Sequence, residues 1–226
     1  MLKSTISLAN KIYLVLAATG LLVLIATISF FYVDEQILAE KLVKESVDST
    51  AQNYFDTINT MMLTGTMANR KVYQEKLTSQ GNIVEARIIR SPSVSKMFGT
   101  GFDDQKAMDE LDQIGLQGKK EFKVIDNNGD RQMHLVMPVF GEENYRGTNC
   151  LGCHQAKEGD LLGVVRVAYD LNHVDDQIFT SIVSATALQI IIILIGFGGL
   201  SFAISKLVLF RLKRLKNTLS EIEQTL

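Results

Sequence analysis

Two long uncharged apolar blocks constrain this 226-residue chain more than any other feature. The first block covers residues 12–33 and the second covers residues 178–205, and neither contains Asp, Glu, Lys or Arg. An α-helix rises 1.5 Å per residue, so about 20 apolar residues cross a hydrocarbon core of roughly 30 Å. Both blocks therefore predict transmembrane helices, which would divide the rest of the chain into residues 1–11, 34–177 and 206–226.

The first block predicts a retained anchor rather than a cleaved signal peptide. Its apolar run is longer than the roughly 7–15 residues of a signal-peptide core. Its far end reads SFFYVDEQ, which offers no small-x-small cleavage site.

The charges that flank the two blocks predict the orientation. Basic side chains precede the first block and follow the second, at Lys3, Lys11, Lys206, Arg211, Lys213, Arg214 and Lys216. Acidic side chains face the middle segment, at Asp34, Glu35, Asp170, Asp175 and Asp176. Positive flanks stay in the cytoplasm, so both termini are expected there and residues 34–177 are expected outside. The basic tail is ordinary for this topology and indicates no nucleic-acid partner. The net charge of −2 does not reveal that basic and acidic residues lie on opposite sides of the apolar blocks.

The middle segment predicts an α+β domain, with helices first and a small antiparallel sheet after them. Apolar spacing indicates one long helix from the first block to about Gly81, with a break allowed around Gly65. A second helix is expected from about Ile83 to a break at Pro92, and a short amphipathic helix in the segment DDQKAMDELDQIG. The runs KEFKVID and RQMHLVMPVF around Asn127-Asn128-Gly129 predict a hairpin, and DLLGVVRVAYDL predicts a third strand.

Cys150, Cys153 and His154 form the run Cys-Leu-Gly-Cys-His and include both cysteines of the chain. This spacing is typical of c-type haem attachment, in which two thiols bond the porphyrin vinyl groups and the adjacent imidazole binds the iron. A structural disulfide, a thioredoxin-like redox pair and half of a zinc site are the alternatives. The other histidines, His134 and His173, do not have zinc-site spacing. The motif is expected in a Gly/Asn-rich loop rather than at a helix start after a strand, and outside the cytoplasm, where c-type haem is attached.

The residues leave the sixth iron ligand open. Candidates are the methionines and histidines of the outer segment, namely Met61, Met62, Met67, Met133, His134, Met137 and His173, and an open site would allow gas binding. Methionines on a helix are more often core residues than ligands, and the two histidines are expected to be packing or solvated residues. Arg146 could pair with a haem propionate or be a solvated loop residue, and Arg166 is a second candidate. No Ser/His/Asp set or carboxylate pair stands out, so no enzyme is predicted.

The stretches MMLTGTMANR, IIRSPSVSKMFG, YRGTNCLGCH and EGDLLGVVRVAYDL resemble the periplasmic haem-c sensor regions of bacterial methyl-accepting chemotaxis proteins and related two-span signal transducers. The resemblance implies a PAS-like domain in the periplasm, a two-pass inner-membrane protein and a homodimer. It also implies that Cys150 and Cys153 hold the vinyl carbons and that His154 is the proximal ligand. Met61 or Met62 lies on the helix that can supply the distal ligand in such sensors.

The tail after the second block resembles the first helix of a HAMP linker, with an apolar stripe at Leu207, Leu212, Leu215, Leu219 and Ile222. The linker's usual proline and second helix are not found, and no output domain follows. A stand-alone short form, a partner that supplies the output and a truncated gene product all remain open. The sequence thus predicts a haem-c sensor of redox state or of a small gas, signalling across the membrane. The alternatives are a membrane-anchored monohaem cytochrome for electron transfer and a protein whose haem only stabilises the fold.

Overall fold

A computed structural model describes residues 8–206 of the chain. The described residues divide into two compact units. One unit holds residues 8–36 and 178–206, and the other is Ile37–Gln177. The expected amphipathic helix after the second apolar block lies almost wholly in residues 207–226, outside the described part.

The described residues form an α+β structure, as predicted. The helices are α1 (Leu8–Leu63), α2 (Arg70–Thr78), α3 (Pro92–Phe98), α4 (Glu110–Leu116), α5 (Cys150–His154) and α6 (Asn172–Ile204). The strands are β1 (Ile83–Arg90), β2 (Glu121–Asn127), β3 (Asp130–Phe140) and β4 (Leu161–Asp170). Single 3₁₀ turns lie at Met67–Asn69 and Asp103–Gln105.

Helices α1 and α6 are long and apolar enough to cross a membrane, by length and composition. Their most apolar stretches are 0% and 6% buried inside the protein, whereas the core helix of a soluble domain would be mostly buried. Polar side chains of these stretches bond each other: Gln189 donates to the Thr27 hydroxyl at 2.6 Å, and Ser181 donates to Glu35 at 3.1 Å. Such bonds satisfy polar groups that lipid would leave unpaired.

The four strands form one antiparallel sheet in the order β1-β4-β3-β2. The hairpin predicted at the Asn-Asn-Gly sequence is confirmed, because Asn127 pairs with Asp130 at its end. Its two connecting residues, Asn128 and Gly129, have φ angles of 59° and 95°. Both angles are positive, which a two-residue turn of this kind requires and which Asn-Gly adopts readily. The third predicted strand is β4, which lies in the sheet interior between β1 and β3.

The helix predicted from Ile83 is wrong, because that segment is strand β1. Most of this segment is buried, including Arg87, which is only 4% exposed, and it pairs with β4 along its length. The predicted break at Pro92 is confirmed: α3 begins there, and the Ser91 hydroxyl accepts a hydrogen bond from the Val94 amide at 3.2 Å. Proline suits this first helical position because its missing N–H would be unpaired there anyway.

The long helix after the first apolar block ends at Leu63, well before Gly81. The break allowed around Gly65 is confirmed, since Gly65 has a φ of 69° and a separate helix, α2, follows from Arg70 to Thr78. The short amphipathic helix is confirmed but begins at Glu110, where the Asp109 carboxylate accepts from the Asp112 amide at 2.8 Å.

The sheet packs differently on its two faces. One face and α1 form the main apolar core, which includes Val47, Ala51, Tyr54, Ile58, Leu135, Val165 and Val167. The other face packs with α4 through Ile89, Leu111, Val136 and Val164. Side chains alternate along a strand, so β4 supplies Val165 and Val167 to one side and Val164 and Arg166 to the other.

The α4 side of the sheet also holds a buried cluster of charges. Arg87 and Arg166 lie directly opposite each other on β1 and β4. Asp112, which is 0% exposed, accepts hydrogen bonds from both guanidinium groups. Asp109 and Glu85 add further negative charge beside them. The carboxylates offset the repulsion that two facing arginines would otherwise experience.

Candidate functional site

A cavity of about 300 Å³ lies in the unit Ile37–Gln177. It is lined by the end of α1, by β1, by α3, by the adjoining ends of β3 and β4, and by α5. Its apolar lining residues include Phe55, Leu63, Ile88, Val94, Phe98 and Leu162. Small-molecule sites are concave and largely apolar, with a few polar groups that orient the ligand, and they begin at about this volume.

The Cys-x-x-Cys-His motif forms helix α5 rather than the loop expected from sequence. The Asn149 carboxamide caps the helix, accepting from the amides of Leu151 and Gly152 at 3.0 and 3.2 Å. Gln155, with a φ of 47°, ends it after a single turn. The predicted loop placement disfavoured a redox pair, whereas the observed helix leaves that alternative open. Both thiols are free.

The helical turn brings the three motif residues to one cavity. Residues three and four apart share a helix face, and Cys150, Cys153 and His154 all line the same space. Cys150 is buried at 6% exposure, whereas Cys153 is exposed. Two thiols and an imidazole therefore point at a single ligand volume.

The imidazole of His154 is half-buried and unusually short of partners. Its Nδ1 atom is buried and has no hydrogen-bond partner among the described residues. The Phe98 ring packs edge-on against it, with centroids 5.4 Å apart. Burial lowers the pKa of His154, which favours the neutral ring that binds metals. Two thiols and a neutral imidazole beside an apolar cavity are the donor set that a c-type haem requires, so the residues present fit that group.

Among the methionines, the structure brings Met62 and Met67 to the cavity with the motif. Met61 instead packs against the main core, as does Met137, and Met133 is buried at 1% exposure. Adjacent helical residues point about 100° apart, and here Met62 is turned toward the cavity and Met61 toward the main core. Of the two favoured candidates for the distal ligand, Met62 lines the cavity and Met61 does not.

The other two histidines lie away from the motif. His134 is buried on the α4 side of the sheet, where its Nδ1 atom is 2.9 Å from Nη2 of Arg166. His173 is exposed and contacts Gln177 at 3.1 Å. No group of three or more His, Cys, Asp or Glu side chains in residues 8–206 is arranged to hold a metal ion.

Neither arginine proposed from sequence as a propionate partner lines the cavity. Arg146 forms an ion pair with Asp56 and donates to Gln52 at 2.9 Å. Arg166 is 2% exposed and belongs to the charge cluster beside α4. The cavity is lined instead by Arg90, which sequence reasoning missed because it lies in the segment taken as a helix. The stretch IIRSPSVSKMFG, which carries part of the resemblance, contains it.

Uncharged polar side chains also line the cavity. The Asn59 carboxamide donates to the Thr148 hydroxyl at 3.1 Å and so ties α1 to the segment just before α5. Gln105, 3% exposed, accepts from the Phe102 amide at 3.1 Å. Both amide side chains are committed to protein partners, so they shape the cavity more than they offer free hydrogen bonds.

No family model matches the chain, and no curated protein matches it significantly. A fold alone does not establish a function, so the function has to be argued from the site.

Proposed function

We propose that this chain is a membrane-bound haem-c sensor that signals redox state or a small gaseous ligand across the bacterial inner membrane. The observation that carries the proposal is the arrangement of the motif on α5. Cys150, Cys153 and His154 share a cavity of about 300 Å³, and a buried nitrogen of His154 has no protein partner in the described residues. A buried polar atom without a partner is costly, and structures retain few of them.

Each motif residue has a distinct role in this proposal. The thiols of Cys150 and Cys153 would hold the haem through thioether bonds, and His154 would bind its iron. Met62 is favoured as the other iron ligand because it lines the cavity. When bound, the haem supplies one-electron chemistry and an iron that can take a gas. The apolar walls exclude water from it.

The path from the cavity to the membrane favours sensing over simple electron transfer. Helix α1 contains both the first apolar block and four residues that line the cavity, namely Phe55, Asn59, Met62 and Leu63. Strand β4 also lines it, at Leu162 and Gly163, and a single residue separates the end of β4 from the start of α6. A change in ligation at the cavity would therefore act on both apolar helices. Signalling requires that the two states of the site differ in free energy, and a change of iron ligand supplies such a difference.

The same proposal includes a PAS-like outer domain in the periplasm, a homodimer and cytoplasmic termini. The four-stranded antiparallel sheet flanked by helices supports the first of these. The distribution of basic and acidic flanks supports the orientation. The cytoplasmic partner is expected to receive the signal through the basic tail.

Electron transfer by a membrane-anchored monohaem cytochrome is the second candidate. The observation that favours it is the exposure of Cys153, since a haem attached there would present an edge to solvent. A single anchor would serve such a carrier, however, and two apolar helices exceed that need.

Covalent haem attachment is the first test. The full chain is produced with haem-c assembly in a bacterial periplasm, and haem retention is measured after denaturation. We expect the parent chain to retain haem and the double variant Cys150→Ala/Cys153→Ala to lose it. His173→Ala is the matched control, because His173 is exposed and does not line the cavity. A parent chain without covalent haem would contradict the proposal.

Optical spectra then separate sensing from electron transfer. The purified protein is compared in its oxidised and reduced forms and under carbon monoxide and nitric oxide. Ready gas binding by the reduced haem would support gas sensing. A haem that stays six-coordinate and cycles without gas would leave redox sensing or electron transfer.

A further inference from the structure

Arg90 differs from every other arginine in the described part of the chain. Six arginines lie there, and five of them form an ion pair with a carboxylate. These five are Arg70, Arg87, Arg131, Arg146 and Arg166. Arg90 forms none with the described residues, although it is half-buried. A guanidinium held partly out of water without a counter-charge is unfavourable unless something else supplies one.

The Arg90 side chain is nevertheless held in place. Its Nη1 atom donates to the carbonyl oxygens of Phe98 and Gly99, at 3.1 and 2.8 Å. These bonds use one nitrogen of the guanidinium and leave the other two without a described partner. The backbone of Gly101 also lies close to the Arg90 guanidinium, because a Cβ atom added at Gly101 would be 2.9 Å from Arg90 Nε. The side chain is thus positioned by backbone groups.

Arg90 also carries the one permanent charge among the described residues that line the cavity. No carboxylate of residues 8–206 lines this space, and its other described walls are apolar or uncharged. The ligand proposed for the cavity is an apolar macrocycle that bears two carboxylates. A planar guanidinium with free N–H groups is the side chain that best matches a carboxylate.

We infer that Arg90 binds a propionate of the covalently attached haem and so orients the macrocycle in the cavity. This inference rests on the proposed function and specifies how the same site holds its cofactor. Arg90 is a positioning residue, and it has no part in the thioether bonds or in iron ligation. Its positive charge would oppose the additional charge of the ferric state and so raise the midpoint potential of the haem.

The test compares the variant Arg90→Gln with Arg146→Gln in the full-length, haem-loaded protein. Both substitutions remove one positive charge from the same unit, but Arg146 is exposed, pairs with Asp56 and does not line the cavity. The midpoint potential of each protein is measured as a function of pH. The pH dependence reports the ionisation of the propionate, which a purely structural role of Arg90 would not move.

We expect Arg90→Gln to retain covalent haem, to lower the midpoint potential and to raise the pH at which the propionate ionises by about one to three units. Arg146→Gln should leave both quantities near the parent values. The same dependence of midpoint potential on pH in the two variants would overturn the inference. A parent chain that carries no haem would instead contradict the proposed function.

A second measurement does not depend on how well the variant folds. Infrared difference spectra of the haem-loaded parent, recorded against pH, report when the haem carboxylates ionise. Pairing with Arg90 predicts that one of them ionises below the ordinary carboxylate range of about 4. Ionisation of both at or above that value would overturn the inference, as would a saturable spectral shift on adding free acetate, which would show the guanidinium to be open.

Discussion

The Phe98 ring packs edge-on against the His154 imidazole, with centroids 5.4 Å apart and ring planes at 73°. Phe98 is the last residue of α3, and its carbonyl accepts a hydrogen bond from Arg90. The contact therefore links the motif on α5 to α3 and, through the Phe98 carbonyl, to Arg90. It limits the angles that the imidazole plane can adopt.

Replacing Phe98 by Ala should loosen the imidazole without preventing haem attachment. Aromatic pairs of this geometry contribute about 0.5–1.5 kcal/mol beyond their buried area. We expect a broader distribution of ligand orientations, measured as broadened electron paramagnetic resonance lines of the oxidised haem. Phe102→Ala is the control, because Phe102 packs on Arg70 and does not line the cavity. Line widths equal to the parent's would show that the ring does not hold the imidazole.

The two adjacent methionines of α1 should respond differently to substitution by Leu. Met62 lines the cavity, so Met62→Leu should remove sulfur ligation and lower the midpoint potential, since methionine ligation raises it. Met61 packs against the main core, so Met61→Leu should change stability by less than about 1.5 kcal/mol and leave the spectrum unchanged. Met67 also lines the cavity, so Met67→Leu tests whether that methionine, rather than Met62, is the ligand. A spectrum altered by Met61→Leu alone would reverse the assignment.

Gly101 and Gly159 offer a matched pair for testing how Arg90 is held. Both have positive φ angles, 72° and 83°, so an alanine at either position introduces backbone strain on the order of 1–3 kcal/mol. A Cβ at Gly101 would also lie 2.5 Å from Gln105 Oε1 and 2.9 Å from Arg90 Nε, whereas one at Gly159 meets nothing. Both variants should lower the unfolding temperature, and only Gly101→Ala should shift the pH dependence of the midpoint potential. The same pH dependence in both variants would contradict this.

Asp112→Ala should be severely destabilising. Asp112 is 0% exposed and accepts hydrogen bonds from Arg87, from Arg166 and from the Met108 amide. Removing one partner of a buried ion pair leaves uncompensated charge and costs about 3–5 kcal/mol. Thermal unfolding of the detergent-solubilised full chain measures the loss. Asp103→Ala is the control, because that carboxylate is fully solvated and its removal should leave the unfolding temperature near the parent's.

The buried His134 should make the protein less stable in mild acid. Burial, and then the neighbouring Arg166, lower the pKa of His134 below its ordinary value of 6.5. The unfolded chain therefore binds a proton at a higher pH than the folded one. Stability should fall as the pH drops below about 6.5 and level off below the folded-state pKa.

Chemical denaturation at several pH values checks this dependence. His134→Gln should flatten the slope in that window relative to the parent, while His173→Gln, at an exposed position, should not. An unchanged slope in His134→Gln would assign the acid sensitivity to other groups.

The sequence predicted the elements whose pattern is set by local chemistry. The hairpin around Asn128 and Gly129 follows from backbone angles that few residues adopt, and the break at Gly65 follows from the same preference. The two long apolar helices, α1 and α6, were predicted from uncharged runs that are long enough to span a membrane. Each signal lies within a few residues of the feature that it predicts.

The failures have a common physical cause, which is that distant residues decide them. Strand β1, predicted as a helix, pairs with β4 some 80 residues later, and the charge of its Arg87 is balanced by Asp112, 25 residues away. The sequence also does not predict that Arg90 lines the cavity, because the cavity forms only when α3, α5 and one end of β4 come together. Among the motif residues, spacing predicted Cys150, Cys153 and His154 as one group, and the structure brings them to one cavity.

The strand order of the sheet also constrains when the motif can be modified. Strand β4 pairs with both β1 and β3, yet it is the last strand to be synthesised and begins only after the motif, at Leu161. The sheet therefore cannot close while the chain emerges through its first 160 residues. If the domain is exported and carries haem as proposed, the two thiols would reach the periplasm on an open chain, and the enzyme that attaches haem would have access to them before the final strand completes the domain.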